Sequence, residues 1–285
     1  MSEPRPVIRM EKVSKAFGSL VVLDEIDLAI EPGKATVILG PSGSGKSVLL
    51  KHTLGLLRPD SGRVFFEDTD VSGAEEKNLI PVRRQFGFLF QGGALFDSMT
   101  VEGNICFPMS EHAEGDGDSR KKRCKEVLAM VGLDGLQDRY PEELSGGQQK
   151  RVALARAIVL EPKVVLYDEP TTGLDPIRAD LINELILRLQ SALGVTSLVV
   201  THDMDSARKI ADRILMLYKG RFITDTTPER LDQEDNDVFR RFVEGRASEE
   251  ELQQIQSGPL SNTDSQPAER DDADAEEPQT QRPSP

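Results

Sequence analysis

The sequence predicts an α/β fold around a parallel β-sheet, and three observations favour this class. Residues 35–39 form an apolar run that is followed by a glycine-rich loop and then by apolar residues at helical spacing. Two further apolar runs, residues 163–168 and 197–200, have the composition of buried strands and lead into polar side chains. Residues from about 96 to 158 have instead the pattern of helices and loops, which we interpret as a helical insertion.

The length of the chain allows one large domain or two smaller ones. It has 285 residues, of which 38% are hydrophobic, and this is enough for a substantial core. No apolar run approaches the roughly 18 residues that cross a bilayer, and the first residues lack the apolar stretch of a secretion signal. We therefore expect neither a signal peptide nor a transmembrane segment, so that any membrane role is played from the surface.

The chain has two cysteines, Cys106 and Cys124, which show neither C-x-x-C spacing nor a nearby histidine cluster. We expect both to be free thiols in a reducing compartment. No structural metal is expected.

The net charge of −14 is distributed unevenly along the chain. Residues 247–285 contain ten acidic and two basic side chains, a net charge of −8, which leaves −6 for the preceding 246 residues. Neither part has the basic excess of proteins that bind nucleic acid through its phosphates. The sequence therefore predicts a folded domain over residues 7–246, an acidic disordered tail over residues 247–285 and no nucleic-acid partner.

Two short strands, residues 7–10 and 26–30, are predicted at the start of the chain. Phe17 lies between them, and two interpretations of it stay open. It is either a core side chain or, if the next strand leads into a nucleotide site, an aromatic ring that stacks on adenine. Residues 31–34 form the turn into that next strand, residues 35–39.

The loop after residues 35–39 fits the phosphate-binding pattern G-x-x-x-x-G-K-[ST] and stands between a strand and a helix, as such a loop must. Its glycines let the backbone turn tightly and aim N–H groups inward, where the positive end of the helix dipole also favours a polyphosphate. Lys46 would reach the β- and γ-phosphates, and the Ser47 hydroxyl would hold Mg²⁺. The predicted phosphate-binding residues are Gly40, Pro41, Ser42, Gly43, Ser44, Gly45, Lys46 and Ser47.

The middle of the chain contains one further strand and the start of the helical insertion. Residues 86–90 are a candidate buried strand that ends at Gln91, and a polar side chain at such a strand end can point into a site. Residues 111–119 have the composition of a flexible polar loop, and residues 121–131 have the spacing of a helix.

A second glycine-bearing turn lies at residues 144–148. Ser145 and Gln148 have the spacing of a helix capping box, and Gly146 and Gly147 leave the first turn of that helix without side chains. Because the N–H groups of a helix N-terminus are free, this turn is a candidate second anion site. On these residues alone, simple helix capping explains the pattern equally well.

Three chemically active side chains follow predicted strands. Asp168 ends one apolar run, Glu169 follows it, and His202 stands just past the next run. A strand-end aspartate of this kind holds Mg²⁺ through its water shell in phosphate-loop proteins, and Glu169 offers a general base. Because parallel strands place functional groups beyond their carboxyl ends, we expect these residues to meet Lys46. His52 and His112 lack such a position, and we expect both to be exposed.

The last part of the domain has a helix, a hairpin and a short helical end. The turn at residues 172–176 leads into a helix on which Ile177, Leu181, Leu185 and Leu189 share one face. A hairpin is predicted over residues 214–224, followed by a short helix that begins at Thr227 and by an amphipathic turn over residues 238–243.

Together these stretches resemble the nucleotide-binding subunits of ABC transporters, over about residues 7–246. The resemblance implies a RecA-like P-loop core with a small antiparallel β subdomain and a helical subdomain inserted at about residues 96–158. It implies that Phe17 stacks on adenine, and that Gln91 and Asp168 join Ser47 at Mg²⁺, Asp168 through water. Glu169 is then the catalytic base, aided by Gln91 and by His202 as the switch histidine, and Asp175 belongs to the D-loop.

In the mechanism that this resemblance implies, two copies close head to tail around two ATP molecules and Mg²⁺. Each ATP lies between the phosphate loop of one copy and Ser145, Gly146, Gly147 and Gln148 of the other. Such a homodimer works with integral-membrane permease subunits. Its expected place is the cytoplasmic face of the inner membrane, where it is a peripheral protein.

A finer resemblance is to the Mla/MCE branch of this family, whose ATPases drive movement of phospholipids or other lipids. It is carried by residues 45–51, 90–96, 104–108 and 242–245. It implies an MCE-domain lipid-binding partner and a small regulatory subunit. Lys150 departs from the glutamine or arginine often found just after residues 144–148, which correspond to the signature of this family, and the acidic tail matches no family pattern.

Several other functions compete with lipid transport. DNA-repair and chromosome-structure ATPases of this superfamily carry a long coiled-coil insertion, whereas 52 residues without sustained heptads separate Gln91 from Leu144. Translation factors of the superfamily normally have two cassettes, and this chain has one. A regulatory nucleotide sensor would lack Glu169 or His202, and both are present. Amino-acid and lipoprotein transport systems use almost the same cassette and stay open as alternatives.

Overall fold

The computed structural model describes residues 5–246, and the predicted tail at residues 247–285 lies outside them. The strands are β1 (Ile8–Phe17), β2 (Leu20–Ile30), β3 (Ala35–Leu39), β4 (Ser61–Phe66), β5 (Thr69–Asp70), β6 (Phe86–Leu89), β7 (Val164–Asp168), β8 (Thr196–Thr201), β9 (Arg213–Tyr218) and β10 (Arg221–Thr226). The helices are α1 (Lys46–Thr53), α2 (Glu76–Arg83), α3 (Val101–Glu111), α4 (Gly117–Met130), α5 (Gly146–Ile158), α6 (Pro176–Leu193), α7 (Met204–Ile210) and α8 (Asp237–Val243).

The strands form two sheets. The smaller sheet has the order β2-β1-β4-β5, and its pairs are antiparallel. The larger sheet has the order β10-β9-β3-β8-β7-β6, and its pairs are parallel except for the hairpin of β9 and β10. The predicted α/β class is therefore confirmed.

The first two strands are longer than the sequence predicts. β1 has ten residues and β2 has eleven, because both continue past their apolar centres into an exposed hairpin whose tip is Gly18 and Ser19. The alternation of buried and exposed side chains persists along the second half of β2, as expected for a strand with one face on a core.

The six-stranded sheet lies between two hydrophobic cores. Along β3, Val37 and Leu39 belong to the core that contains α3, α4 and α5, whereas Ile38 belongs to the core that contains α1 and the antiparallel sheet. Successive side chains of a strand point to opposite faces, so β3 contributes to both. The same alternation along β8 explains why all six of its residues are buried.

Two predicted elements are less buried than their sequences indicate. Residues 86–90 do not form a buried central strand, because β6 is the edge of the sheet and Phe86 and Phe88 are half-buried. On α6, Leu185 and Leu189 pack in the core, but Ile177 and Leu181 are 76% and 59% exposed. The first two apolar residues on this face of α6, Ile177 and Leu181, therefore lie outside the core.

Helix length and composition also bear on membrane insertion. Among the residues that the structure describes, no helix is both long enough and apolar enough to span a bilayer.

Candidate functional site

The phosphate loop joins β3 to α1 and is shaped by its glycines. At Gly45, φ is 103°, and a Cβ atom would lie 2.9 Å from both the Val22 carbonyl oxygen and its Cγ1 atom. At Gly40, a Cβ atom would overlap the Leu217 carbonyl oxygen. Glycine is thus required at both ends of the turn by close approach of neighbouring strands.

Lys46 is buried at the start of α1 and turns back into the loop. Its Nζ atom donates to the carbonyl oxygens of Gly40 at 2.7 Å and of Pro41 at 3.0 Å, and it lies 3.5 Å from Glu169 Oε1. Burial lowers the pKa of the Lys46 ammonium, and the Glu169 carboxylate opposes that shift. The phosphate loop, the Lys46 ammonium and the Glu169 carboxylate therefore lie in one cluster.

Ser47 and Asp168 bring two oxygen donors to the mouth of the loop. The Ser47 hydroxyl donates to Asp168 Oδ1 at 3.0 Å, although the two residues are far apart in the sequence. Burial raises the pKa of the Asp168 carboxyl group, and the hydrogen bond from Ser47 opposes the rise. The strand-end aspartate thus lies beside the loop, as the sequence predicts.

Glu169 is held by polar groups from three segments. Its Oε2 atom lies 2.9 Å from His202 Nδ1 and accepts hydrogen bonds from the hydroxyls of Thr201 and Thr172, each at 3.2 Å. The His202 backbone N–H also points to Oε2, at 3.4 Å. These contacts fix the carboxylate between the histidine and Lys46.

A cleft of about 400 Å³ is lined by eight of the eighteen predicted site residues. Its lining includes Phe17, Gln91 and Glu169 together with loop residues such as Lys46 and Ser47. Phe17 is the last residue of β1 and is 48% exposed, so it is not a core side chain. Its side chain lines the cleft, and stacking on adenine stays a prediction.

The glycine-bearing turn at α5 does not line that cleft. Ser145 and Gln148 form the predicted capping box: the Ser145 N–H donates to Gln148 Oε1 at 2.9 Å, and the Gln148 N–H donates to Ser145 Oγ at 3.4 Å. A Cβ atom would meet nothing within 4 Å at Gly146, and at Gly147 only Arg178 Cδ, at 3.7 Å. Asp175 likewise lies outside the cleft and caps α6 by accepting from the Arg178 N–H at 3.0 Å.

The structure also corrects the expected exposure of two histidines and adds one residue to the site. His52 is not exposed: it is 1% exposed, its Nδ1 atom lies 2.7 Å from the Val48 carbonyl oxygen, and burial lowers its pKa. His112 is half-buried. Lys150 is buried against the Glu169 turn, and the only sequence signal was its departure from the usual pattern after the signature.

A cavity of about 930 Å³ lies elsewhere in the described part of the chain. Gly33, Lys163 and Thr196, which line it, precede or begin the parallel strands. The charged side chains there are paired, as in the 2.7 Å contact of Lys163 with Glu67. Since functional groups of parallel sheets gather at the carboxyl ends, we assign the site to the smaller cleft.

The model of the ABC transporter family matches residues 23–172, more than half of the chain. The phosphate loop, the strand-end acids and the switch histidine meet in the geometry described above. The chain therefore belongs to the ABC transporter family, as its ATP-binding and ATP-hydrolysing cassette.

One relative is the "Probable ribonucleotide transport ATP-binding protein mkl" of Mycobacterium tuberculosis. It is 41% identical over 239 residues, which are 84% of this chain and 67% of the relative. Among solved structures, a dimeric ATP-binding cassette bound to ADP and Pi matches with a TM-score of 0.72 and 34% identity, over 78% of this chain and 98% of that one. The cbiO1 protein of Clostridium perfringens, described as part of the ABC transporter complex cbiONQ, matches with a TM-score of 0.75 and 29% identity, over 88% of this chain and 99% of that one.

Proposed function

We propose that this ABC transporter ATPase powers movement of phospholipids or other lipids as part of an MCE-type system. The observation that carries the lipid assignment is an aromatic groove. Residues of two of the Mla/MCE-like stretches, 90–96 and 104–108, meet there and line a space of about 440 Å³.

The ATP site of one copy is the cleft of Phe17, the phosphate loop and Glu169. Phosphate oxygens would take the place of the two loop carbonyls to which Lys46 donates. Glu169 Oε2, already oriented by His202 and two threonine hydroxyls, is the general base for the attacking water. His202 steadies that water and the γ-phosphate.

The oxygen donors at the mouth of the loop fit Mg²⁺. Ser47 Oγ and Asp168 Oδ1 are hard oxygen ligands 3.0 Å apart, and Gln91 lines the same cleft. Ser47 would bind the ion directly, Asp168 through water, and Gln91 through its amide oxygen. The ion, when bound, supplies positive charge that neutralises the phosphate oxygens.

A second copy completes each ATP site. Ser145 and the two glycines after it form a helix N-terminus at which Ser145 and Gly146 are exposed in the single chain and Gly147 is half-buried. In a head-to-tail homodimer this turn donates to the γ-phosphate held by the partner's phosphate loop, and Asp175 lies at the same interface. One copy alone is expected to hydrolyse ATP slowly.

The aromatic groove is the proposed contact with the permease. Phe90 and Phe96 are exposed large hydrophobic side chains on its lining, and the ring centroid of Phe96 lies 4.7 Å from that of Phe107. An amphipathic helix of a membrane subunit fits such a groove. Leu95 and Ile105 are not part of this surface, because Ile105 is fully buried and Leu95 packs against the core. The proposed contact surface is therefore limited to the side chains that line the groove, such as Phe90, Phe96 and Phe107.

The proposed assembly is a peripheral complex on the cytoplasmic face of the inner membrane. It contains two copies of this chain, the permease subunits, an MCE-domain lipid-binding protein and a small regulatory subunit. A second candidate function is ribonucleotide transport, which is favoured by the name of the mycobacterial relative.

Purification of the full chain from membranes with its attached subunits tests the lipid assignment. We expect mass spectrometry to identify a permease, an MCE-domain protein and bound lipid in the same complex. A permease for a water-soluble solute such as a ribonucleotide, without an MCE-domain protein, would overturn the lipid assignment and leave the ATPase mechanism intact.

A further inference from the structure

Lys150 lies on α5, two residues after the end of the signature, and is 7% exposed. Its Nζ atom donates to the carbonyl oxygens of Pro170 at 2.7 Å and of Glu169 at 3.3 Å. An ammonium group this far from water is costly unless hydrogen bonds compensate it. The two carbonyls supply that compensation, so the lysine and the turn after β7 stabilise each other.

The turn that Lys150 contacts has an uncommon backbone. Glu169 has φ of 51°, in the left-handed region that residues other than glycine rarely adopt. It also precedes Pro170, and a residue before proline is normally extended. Such a conformation persists where surrounding contacts hold it. The Glu169 N–H donates to the Val200 carbonyl oxygen at 2.9 Å, and Lys150 holds the carbonyl side of the same residue.

The position of Lys150 on its helix connects this turn to the signature. Gly146 begins α5 and Lys150 is four residues later, so about one helical turn separates them. In the first turn of α5, Gly146 is exposed and Gly147 and Gln148 are half-buried, whereas Lys150 is buried. One rigid helix turn thus carries the signature at one end and the contact to Glu169 at the other.

We propose that Lys150 is a positioning residue for ATP hydrolysis: it holds the Glu169–Pro170 turn and ties the orientation of the catalytic carboxylate to the signature end of α5. The inference rests on the proposed function, since it takes Glu169 as the base and residues 145–148 as the contact to the partner's ATP. A movement of α5 on dimer closure would therefore reach Glu169 through one side chain.

The rest of α5 is anchored without Lys150. Arg156 donates to the carbonyl oxygens of Gly93 at 2.7 Å and Ala94 at 2.8 Å, and Gln149 donates to that of Pro141 at 2.8 Å. Variants at position 150 are therefore expected to fold. Lys150→Met keeps a long apolar side chain without donors, Lys150→Gln keeps a neutral donor, and Lys150→Arg keeps the charge.

The test measures ATP hydrolysis by the full-length protein and, separately, the Kd of a fluorescent ATP analogue. We expect Lys150→Met to lower kcat by about tenfold or more, because the carboxylate is displaced from the water. The Kd should stay within about twofold, since the phosphate loop is unchanged. Lys150→Arg should recover more activity than Lys150→Gln. The control is Lys125→Met, at an exposed lysine on α4, which should behave as the wild type.

A double-mutant cycle with Glu169→Gln separates positioning from general loosening. Under single-turnover conditions, Lys150→Met should lower the rate little further once Glu169 has been replaced, because the lysine acts through that carboxylate. The inference would be overturned if Lys150→Met lowered the hydrolysis rate by the same factor in the wild type and in Glu169→Gln. A normal kcat in Lys150→Met would also overturn it. If Lys150→Met does not fold, the same comparison with Lys150→Gln decides. Normal turnover in Glu169→Gln itself would instead overturn the proposed role of Glu169.

Discussion

The phosphate loop and the signature turn are both glycine-bearing helix N-termini, but their surroundings differ. At Gly45 a Cβ atom would press on Val22 at 2.9 Å, so the fold of the single chain requires glycine. At Gly146 a Cβ atom would meet nothing within 4 Å. The shape of the phosphate loop is thus set by contacts within its own chain. The signature turn has glycines that its own chain does not need.

The difference indicates whether each turn functions within one chain or between two copies. A glycine that no neighbour demands costs backbone entropy in a helix, so a benefit outside the chain must offset that cost. Bare N–H groups at α5 offer this benefit if a phosphate arrives from another copy. The comparison therefore predicts that substitutions in the phosphate loop lower the stability of the single chain. Substitutions in the signature turn should instead lower ATP hydrolysis by the dimer.

The largest expected effect is at Glu169. Glu169→Gln should bind Mg-ATP normally but hydrolyse it about 100-fold more slowly, because the water loses its base while the phosphate contacts remain. Size-exclusion chromatography with ATP should then show a stable dimer. Glu111→Gln, at an exposed position on α3, is the matched control. Near-normal turnover of Glu169→Gln would remove Glu169 from its assigned role.

The next effect separates the two glycine turns directly. Gly147→Ala should leave stability unchanged or raise it by up to about 0.5 kcal/mol, because alanine favours the helix. Its ATP hydrolysis should nevertheless fall by about tenfold, since the partner's phosphate meets a methyl group. Gly45→Ala should instead cost more than about 1 kcal/mol of unfolding free energy in the single chain. Thermal melts and steady-state assays measure both, and equal behaviour of the two variants would contradict the comparison.

A smaller effect is expected at the groove. Phe96→Ser should weaken co-purification with the permease about fivefold, because an aromatic anchor is lost from the contact surface. The isolated protein should still fold and bind ATP. Leu181→Ser, at an exposed apolar position on α6, is the control and should retain the permease. Unfolding of Phe96→Ser would show that Phe96 is a core residue.

The smallest effect concerns residues 247–285, whose composition predicts little contribution to folding. Removing them should leave Tm nearly unchanged. A decrease of more than about 4 °C, measured by calorimetry, would show that they stabilise the domain.

The sequence predicted the phosphate loop, Asp168 and the capping box at α5 because each is a short motif whose geometry follows from local backbone rules. It did not predict that His52 is buried or that Lys150 contacts Glu169. Both depend on packing between segments that are distant in the chain, and helical spacing alone does not identify the neighbouring element. Phe17 stayed open for the same reason, since exposure at a strand end depends on what lies across the hairpin.

The alternating side chains of β3 have a mechanical consequence. This strand separates two cores: Ile38 belongs to one core, and Val37 and Leu39 belong to the other. A strand that is packed on both faces cannot shift toward one core without opening a cavity beside the other core, and such cavities destabilise the fold. The phosphate loop extends from the end of β3. We therefore expect the phosphate loop to keep its position relative to the sheet when α3, α4 and α5 tilt, so that these helices move around a stationary nucleotide.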